Sequence, residues 1–518
     1  MADNQSSNLE LPPRPEDFQY MCVALYGGDT LHLICGGEPE AAIMRKVIQE
    51  AWPKGIQKEA FKLNGVYEFK LKGNPFSAAT SSSDALGCRR MAERMLYMLY
   101  KNGWRLHISC NIYQRLDLTT WIFKRVPPPV DFSPQPFLVV GLSGFDSLMI
   151  LNAPSELHQV FKDAIEKSWL NGIQKWTYKN NVLMIKLKGF PWFSESSDAV
   201  HSEAMLQTII RDLIPKQWNL YGNSNIRSES NTFFFDYHPN LIPEGQSPPE
   251  QFTVSFNSSD LLRVIGAPDD FVSVIRSTIR SVWPKGIEEE SRYADSWQFK
   301  LRGSPWCASG SKGVKSKLLV IKVMEALLPF GWGLVAAIDS SKKMSDKSSL
   351  LFRQSQSRQA SVFCLSVNGD NNLWLINTSD DIMKLCKEVI QSQYAPGTQW
   401  VQQHVDNMEF SLKGKPWTPG EEGRHDGIHA RSMLCHLISA LASRGWQAVV
   451  AADVSARHAD DDDSRYDPVD IDSIYFMYDP ATPPLVPPLH VPYPTPYGIP
   501  QQDAPPPSFD PPSYESLS

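Results

Sequence analysis

Residues 67–76 read Tyr67-Glu68-Phe69-Lys70-Leu71-Lys72-Gly73-Asn74-Pro75-Phe76, and the same pattern returns three more times along the chain. We call this pattern the motif, and its other copies span 184–192, 298–306 and 409–417. A tryptophan follows each copy, and successive tryptophans lie 114 residues apart, at Trp104, Trp218, Trp332 and Trp446. Self-similarity at a long fixed period indicates tandem repeats, so the chain is predicted to contain four related units.

Each motif predicts a strand with one buried face. Phe69 and Leu71 alternate with Lys70 and Lys72, which is the period-2 pattern of a half-buried strand. The strand should end at Gly73-Asn74-Pro75, because glycine can take a positive φ and proline has no N–H to continue a ladder. An aromatic residue follows the proline in every copy and is predicted to close the end of the core; these residues are Phe76, Trp192, Trp306 and Trp417.

The apolar patterns around the motif predict the other elements of each unit. Two short apolar runs flank Gly27-Gly28-Asp29 and indicate a β-hairpin. Between Leu157 and Trp169 the apolar residues fall on one face of a helix. A second helix ends at Gly103-Trp104, and a final hairpin follows. The predicted order is β-β-α-β-α-β-β, which is an α+β fold with two helices packed on one sheet.

Proline-rich or polar linkers separate the repeats. The predicted divisions are a disordered N-terminus at 1–17, unit 1 at 18–126, unit 2 at 137–238, unit 3 at 251–353, unit 4 at 361–478, and a disordered proline-rich tail at 479–518. Because each unit has its own strands, helices and tryptophan, we expect a fragment such as 130–240 to fold alone.

Composition excludes several classes of protein. Of the 518 residues, 42% are hydrophobic and 21% are charged, as in ordinary globular proteins. The net charge of −7 argues against nucleic-acid binding, which needs a basic field. The eight cysteines form no CxxC pair, so we predict reduced thiols in a cytoplasmic protein. No apolar run reaches the length of a transmembrane helix, and the N-terminus lacks the features of a signal peptide.

Three short signatures recur within the units. They are Trp-Pro-Lys-Gly-Ile at 52–56 and 283–287, Phe-Lys-Leu-Lys-Gly at 69–73, and Gly-Trp at 103–104, 331–332 and 445–446. Together they resemble the repeats of uncharacterised tandem-repeat proteins from filamentous fungi, over about residues 18–478. The resemblance implies a repeat fold in an intracellular protein, and it implies no activity, cofactor or catalytic residue.

The tail contains one sharp motif, a PPxY sequence formed by Pro511, Pro512 and Tyr514. It resembles the ligands of WW domains, in which two prolines dock on an aromatic groove and the tyrosine enters a second pocket. Leu517 could add an apolar contact. A chance match is the alternative, because the motif fixes few letters in a segment full of proline. If the WW-domain protein is a HECT-type ubiquitin ligase, as the resemblance suggests, this chain would be a ligase adaptor or substrate.

A row of basic residues follows the motif strands: Lys70, Lys72, Lys186, Lys188, Lys300 and Arg302. Such a row could bind an anionic membrane or a phosphoinositide. A solvated outer face of the sheet is the alternative, since lysines on sheet edges also discourage aggregation.

The sequence offers no catalytic residues. It contains no phosphate-binding loop, no Gly-x-Ser-x-Gly turn and no HExxH motif. His425 and His429 have a spacing that could hold a metal, and Cys435 and His436 follow, but no other unit repeats them, so we predict no metal. Asp460 to Asp463 lack the alternation of a calcium loop.

Three functions therefore stay open. We favour a non-enzymatic scaffold whose units bind an unknown protein while the tail binds a WW-domain protein. A peripheral membrane-binding module is the second possibility, and an enzyme built from diverged repeats is the third.

Overall fold

The structure is a computed structural model of the full chain. It describes residues 18–62, 65–77, 82–112, 119–128, 135–194, 196–227, 231–308, 310–341, 347–405, 407–418, 421–455 and 471–479.

Within these residues every unit has the same eight elements. Unit 1 contains β1 (Tyr20–Tyr26), β2 (Thr30–Ile34), α1 (Glu38–Ala51), β3 (Ile56–Lys62), β4 (Val66–Leu71), α2 (Ser82–Lys101), β5 (Trp104–Cys110) and β6 (Thr120–Arg125). Unit 2 contains β7 (Leu138–Ser143), β8 (Ser147–Leu151), α3 (Ser155–Ser168), β9 (Ile173–Lys179), β10 (Val182–Leu187), α4 (Ser196–Asp212), β11 (Trp218–Ser224) and β12 (Thr232–Tyr237).

Units 3 and 4 repeat this order. Unit 3 contains β13 (Gln251–Asn257), β14 (Leu261–Ile265), α5 (Asp269–Val282), β15 (Ile287–Tyr293), β16 (Ser296–Leu301), α6 (Gly310–Leu327), β17 (Trp332–Ile338) and β18 (Ser349–Gln354). Unit 4 contains β19 (Val362–Asn368), β20 (Asn372–Ile376), α7 (Asp380–Gln393), β21 (Thr398–Gln403), β22 (Asn407–Leu412), α8 (Glu421–Ala442), β23 (Trp446–Ala452) and β24 (Ser473–Tyr478).

Each unit forms one antiparallel sheet of six strands, which in unit 1 has the order β3-β4-β2-β1-β6-β5. The prediction of four tandem α+β repeats is confirmed. The sheet has one strand more than the sequence indicates, because β3 and its equivalents lie between the first helix and the motif strand. β3 is an outer edge strand with mostly exposed or half-exposed side chains, so it lacks the apolar alternation by which a strand is recognised.

The motif ties the first helix to the sheet through one hydrogen bond. In unit 1 the indole Nε1 of Trp52, directly after α1, donates to the carbonyl of Lys72 at 3.0 Å. Units 2 and 3 repeat this bond with Trp169 and Trp283, and in unit 4 the hydroxyl of Tyr394 donates to Lys413 at 2.7 Å. The aromatic residue after the motif is buried in all four units, as its size favours.

The second helix of each unit also packs on the sheet of the next unit. We call these contacts seams, and they join α2 to β7, α4 to β13 and β14, α6 to β19 and β20, and α8 to β1 and β2. The fourth seam returns to the first unit, so the four units form a closed ring. The central strands of each sheet therefore have helices on both faces.

Hydrogen bonds near the axis of the ring also join each unit to the next. The N–H groups of Asn231, Ser348 and Asp472 donate to carbonyls of the following unit at 2.8 to 3.1 Å. The bond from Asp472 reaches Asn111 and so links unit 4 to unit 1. The Oγ1 of Thr119 donates across the remaining seam to Asn225. Strands β5, β11, β17 and β23 contact one another around the axis.

At every seam, a buried ionisable side chain at the same position of the repeat reaches the next unit. These residues stand 15 positions before the repeated tryptophan, and they are Arg89, Glu203, Lys317 and Arg431. Arg89 donates to the carbonyl of Leu142 at 2.7 Å, and Arg431 donates to the hydroxyl of Thr120 at 2.9 Å. A buried charge is retained only with such partners, so these contacts fix the position of each helix on the neighbouring sheet.

Among the described helices, none combines the length and the apolar character that crossing a bilayer requires.

Candidate partner-binding surface

The loops at one end of each sheet form what we call the tip. It comprises the turn between the first two strands, the residues after the motif strand, and the turn after the first helix. In unit 2 the tip exposes four large apolar side chains. Leu170 is 73% exposed, Phe190 63%, Phe145 53% and Phe193 49%. Soluble proteins seldom cluster exposed apolar groups unless the cluster has a binding role.

Backbone hydrogen bonds join the loops that carry these side chains. The N–H of Trp192 donates to the carbonyl of Phe145 at 3.1 Å, and the N–H of Lys188 donates to Gly172 at 3.0 Å. The rings of Phe145 and Phe193 then meet edge to face, with centroids 5.6 Å apart. Trp192 itself is fully buried and donates from Nε1 to the carbonyl of Ser147 at 2.9 Å. The buried tryptophan thus supports a loop whose neighbouring aromatic residues face solvent.

The other three units have the same loops with different side chains. Their residues at the positions of Phe145, Phe190 and Phe193 are small or polar: Gly28, Asn74 and Ser77 in unit 1, Ser259, Ser304 and Cys307 in unit 3, and Asp370, Lys415 and Thr418 in unit 4. The backbone contact from the motif to the turn is retained, since Phe76 and Gly28 make it at 3.0 Å in unit 1. Large aromatic residues are therefore not needed to build a tip.

The tip of unit 2 has a nearly balanced charge. Lys186 pairs with Asp146 at 3.3 Å, and Lys188 is exposed. The amide of Asn171 donates to Asp198 at 3.4 Å, which places a carboxylate beside the same turn. An apolar centre with a mixed polar rim is the usual composition of a protein interface.

The predicted basic row does not form a field of free charge. Lys70 pairs with Asp29 at 3.0 Å, Lys186 with Asp146, and Lys300 with Glu288 at 3.1 Å. The three remaining residues, Lys72, Lys188 and Arg302, are exposed. They lie on three different units of the ring.

The four repeated tryptophans occupy equivalent positions, each as the first residue of a strand near the axis. Trp104, Trp218 and Trp332 are buried, and Trp104 donates from Nε1 to Oε1 of Glu40 at 2.9 Å. Trp446 is half-buried, because it borders an open groove of about 1,020 Å³ between units 3 and 4.

A second cavity lies on the axis of the ring and is lined by residues of all four units, among them His107, Asn223, Ala337 and Val450. Its volume of about 150 Å³ is below the range of roughly 300–1,000 Å³ that is usual for ligand pockets. Burial lowers the pKa of His107 to about 3, so this imidazole is neutral at physiological pH. The cavity is therefore suited to a few water molecules.

Several predicted sites lie outside the described residues. These are the PPxY residues Pro511, Pro512 and Tyr514 with Leu517, and the run from Asp460 to Asp463. His425 is exposed, whereas Cys435 is buried at the seam between units 4 and 1. Across the described part of the chain, no group of three or more acidic, histidine or cysteine residues is arranged to hold a metal.

Sequence reasoning missed the tip of unit 2, although the signal is present. Phe145 stands in a hairpin turn where unit 1 has Gly28, and Phe190 precedes the motif proline where unit 1 has Asn74. Read along one unit, a phenylalanine in either place looks like part of the core. Only the comparison between units shows that it occupies a position which the fold leaves to solvent.

A protein-family model of unknown function matches four segments of the chain, residues 19–124, 136–236, 250–353 and 361–477. No curated protein and no solved structure matches the chain.

Proposed function

We propose that this chain, which belongs to a family of repeat domains without an assigned function, is a non-enzymatic cytoplasmic scaffold. In this proposal the tip of unit 2 binds one protein, and the PPxY tail binds a WW-domain protein. The exposed apolar tip carries the proposal, because among the described residues unit 2 alone has such a cluster at its tip.

The partner at the tip is a protein with an apolar cleft that accepts phenylalanine side chains. Phe145, Phe190 and Phe193 protrude from loops, so the complementary surface must be concave. Aromatic residues at the centre of an interface commonly supply much of its binding energy. The rim supports the same assignment, because Lys188 is exposed and can pair with an acidic group of the partner.

A protein fits this surface better than an anionic membrane does. Membrane attraction needs several unpaired basic residues near the apolar group, each of which contributes about 1 kcal/mol. At this tip Asp146 already pairs with Lys186, and Asp198 lies beside the turn that carries Leu170. The net charge of −7 adds repulsion from anionic lipid.

The tail supplies the second partner. Proline rings restrict the backbone of PPxY peptides in general, so docking of such a peptide costs little conformational entropy. A HECT-type ubiquitin ligase is the WW-domain protein that the resemblance implies, and the scaffold would then bring the protein at the tip to a ligase.

The test of the tip begins with affinity capture and ends with purified proteins. The tip variant is Phe190→Asn with Phe193→Ser, which gives unit 2 the residues of unit 1. Proteins captured by the wild-type chain and not by the variant are expressed and titrated against both. We expect at least one of them to bind the wild type directly and the tip variant at least tenfold more weakly.

The matched control is Phe61→Ala, since Phe61 is 65% exposed on unit 1, away from the tip of unit 2. This change should leave the affinity unaltered. A partner that binds wild type, tip variant and control equally would contradict the tip as its binding surface. Tip-dependent binding to vesicles of phosphatidylcholine and phosphatidylserine would instead favour the membrane module.

A peptide covering residues 504–518 tests the tail independently. It should bind members of a panel of WW domains, and Tyr514→Ala should abolish binding because it empties the second pocket. Ser508→Ala, outside the motif, is the control and should change little. Phosphorylation of Tyr514 should act like the alanine change, since a dianion would have to be desolvated. Binding that is indifferent to Tyr514 would make the motif a coincidence.

A further inference from the structure

Three cysteines converge at the seam that closes the ring. Cys22 lies in β1, Cys35 directly follows β2, and Cys435 lies in α8, which packs on both of these strands. Cys22 and Cys435 are buried, and Cys35 is half-buried. None of the eight cysteines, all of which are described, forms a disulfide.

The equivalent seam between units 2 and 3 shows that these positions belong together. There Gln207, Thr253 and Gly266 stand where Cys435, Cys22 and Cys35 stand in the closing seam. The hydroxyl of Thr253 donates to Oε1 of Gln207 at 2.9 Å. A Cβ added to Gly266 would lie 2.9 Å from Nε2 of the same glutamine. The repeat therefore directs all three side chains to one point, and only the closing seam fills that point with thiols.

The surroundings of Cys35 favour its ionised form. Its Sγ lies 3.5 Å from the hydroxyl of Ser432, and His436 lies beside it. A hydrogen bond from Cys435 and the proximity of His436 hold the pKa of Cys35 well below its usual value. Hydrogen bonds to Cys22 and Cys35, together with burial, raise the pKa of Cys435. Cys35 thus has the lower pKa of the two neighbouring thiols, which is the order expected of an attacking and a resolving cysteine.

We propose that Cys35 and Cys435 are a peroxide-sensitive pair that forms a disulfide between unit 1 and unit 4. The Cys35 thiolate attacks one oxygen of hydrogen peroxide, the O–O bond breaks, and hydroxide leaves with a sulfenic acid on Cys35. The sulfur of Cys435 then attacks that of Cys35, the S–O bond breaks, and the hydroxyl leaves as water with the proton of Cys435. Peroxide is reduced by two electrons, and the two thiols are oxidised to one disulfide.

Such a bond would act on the ring as a whole. The seam between units 4 and 1 is the only one of the four whose partners are not neighbours in sequence. A disulfide there converts a non-covalent closure into a covalent loop that spans most of the chain. The expected consequence is a rise in melting temperature and a faster mobility on a non-reducing gel.

The experiment uses the purified full chain, first reduced and then treated with stoichiometric hydrogen peroxide. After alkylation and digestion, mass spectrometry should find the Cys35 and Cys435 peptides linked. In the untreated wild type, Cys35 should be alkylated at least tenfold faster than Cys307. Cys307 is the matched control, because it is also half-buried but burial raises its pKa.

Two variants assign the roles of the pair. Cys435→Ser should leave a sulfenic acid on Cys35 that dimedone captures, and Cys35→Ser should abolish both the link and the dimedone adduct. A Cys22–Cys435 link, or an alkylation rate of Cys35 no higher than that of Cys307, would overturn the assignment. The alkylation measurement needs no variant, so it decides even if a serine substitution disturbs folding.

Discussion

The seams and the tips of this molecule differ in how equivalent side chains of the four units are constrained. At the seams the side chains vary, from Arg89 to Glu203 and Lys317, yet each one is buried and bonded to the next unit. At the tips the backbone bonds are alike, yet Phe190 in unit 2 and Asn74 in unit 1 are both exposed. A side chain at a seam must therefore fit and bond to the neighbouring unit. A side chain at a tip can change without loss of such contacts, so it can be adapted to bind a partner.

Removing the seams should have the largest effect. The sequence predicts that a single unit folds alone, but unit 2 buries apolar side chains in the core of unit 1, among them Val139, Met149, Leu151, Val182 and Phe234. A fragment of residues 135–238 would expose them, so we now expect it to lose cooperative thermal unfolding. Calorimetry of the fragment beside the full chain measures this, and a sharp transition in the fragment would show that the units are independent.

Truncation of a repeated tryptophan should be the largest single change. Trp104 is buried and bonded to Glu40, so Trp104→Ala should lower the free energy of unfolding by about 3–5 kcal/mol. Trp446→Ala should cost clearly less, because Trp446 is half-buried beside the groove. Urea denaturation of both variants provides the comparison. If both variants lost the same free energy of unfolding, the contribution of each tryptophan to stability would depend on its position in the repeat and not on its burial.

The seam between units 1 and 2 should have its own pH dependence. Burial raises the pKa of Glu93 from 4.5 to about 7, and its Oε1 accepts the N–H of Phe137 at 3.1 Å. The folded state holds this proton more tightly than the unfolded state, so the contribution of Glu93 to stability falls as pH rises from about 4.5 to about 7. The loss is about 3 kcal/mol and stays constant above pH 7.

Glu93→Gln should remove this dependence, since unit 2 already has a neutral Gln207 at the equivalent position. The variant should exceed the wild type in stability at pH 8 and match it near pH 4.5. Urea denaturation at both pH values tests this prediction. Parallel losses at the two pH values would show that Glu93 acts through packing alone.

Changes at the tip should have the smallest effect on stability. Phe190→Asn with Phe193→Ser introduces residues that unit 1 already carries on the same backbone, so the free energy of unfolding should change by less than about 0.5 kcal/mol. Thermal unfolding of the variant beside the wild type is the measurement. A loss of several kcal/mol would mean that the phenylalanines belong to the core of unit 2.

The sequence predicts the elements within a unit better than the contacts between units. Strand β4 and the paired helices follow from local periodicity, because apolar residues recur in every motif at the positions of Phe69 and Leu71. Strand β3 was missed because both of its faces are largely open to solvent. The seams were missed because Arg89 and Arg431 look like surface charges on a helix, and no local pattern says that unit 4 returns to unit 1.

The candidate binding sites also differ in how far the sequence predicts them. The PPxY motif of the tail can be recognised in the sequence, because a short peptide contains all the residues that a WW domain contacts. The basic row could also be recognised in the sequence. In units 1 and 2, however, Asp29 and Asp146 in the first hairpin turn pair with Lys70 and Lys186, and sequence spacing does not show these pairs. The apolar tip needed both the exposure of Phe190 and a comparison with three other units.

The most direct test of the scaffold is a transplant of the tip. In a chain that carries the tip variant of unit 2, the changes Ser259→Phe, Ser304→Phe and Cys307→Phe give unit 3 the three phenylalanines. The dissociation constant of the identified partner is then measured by calorimetry for the wild type, the tip variant and the transplant. The account predicts at least a tenfold loss in the tip variant and a partial recovery in the transplant. An unchanged dissociation constant in the tip variant would contradict it.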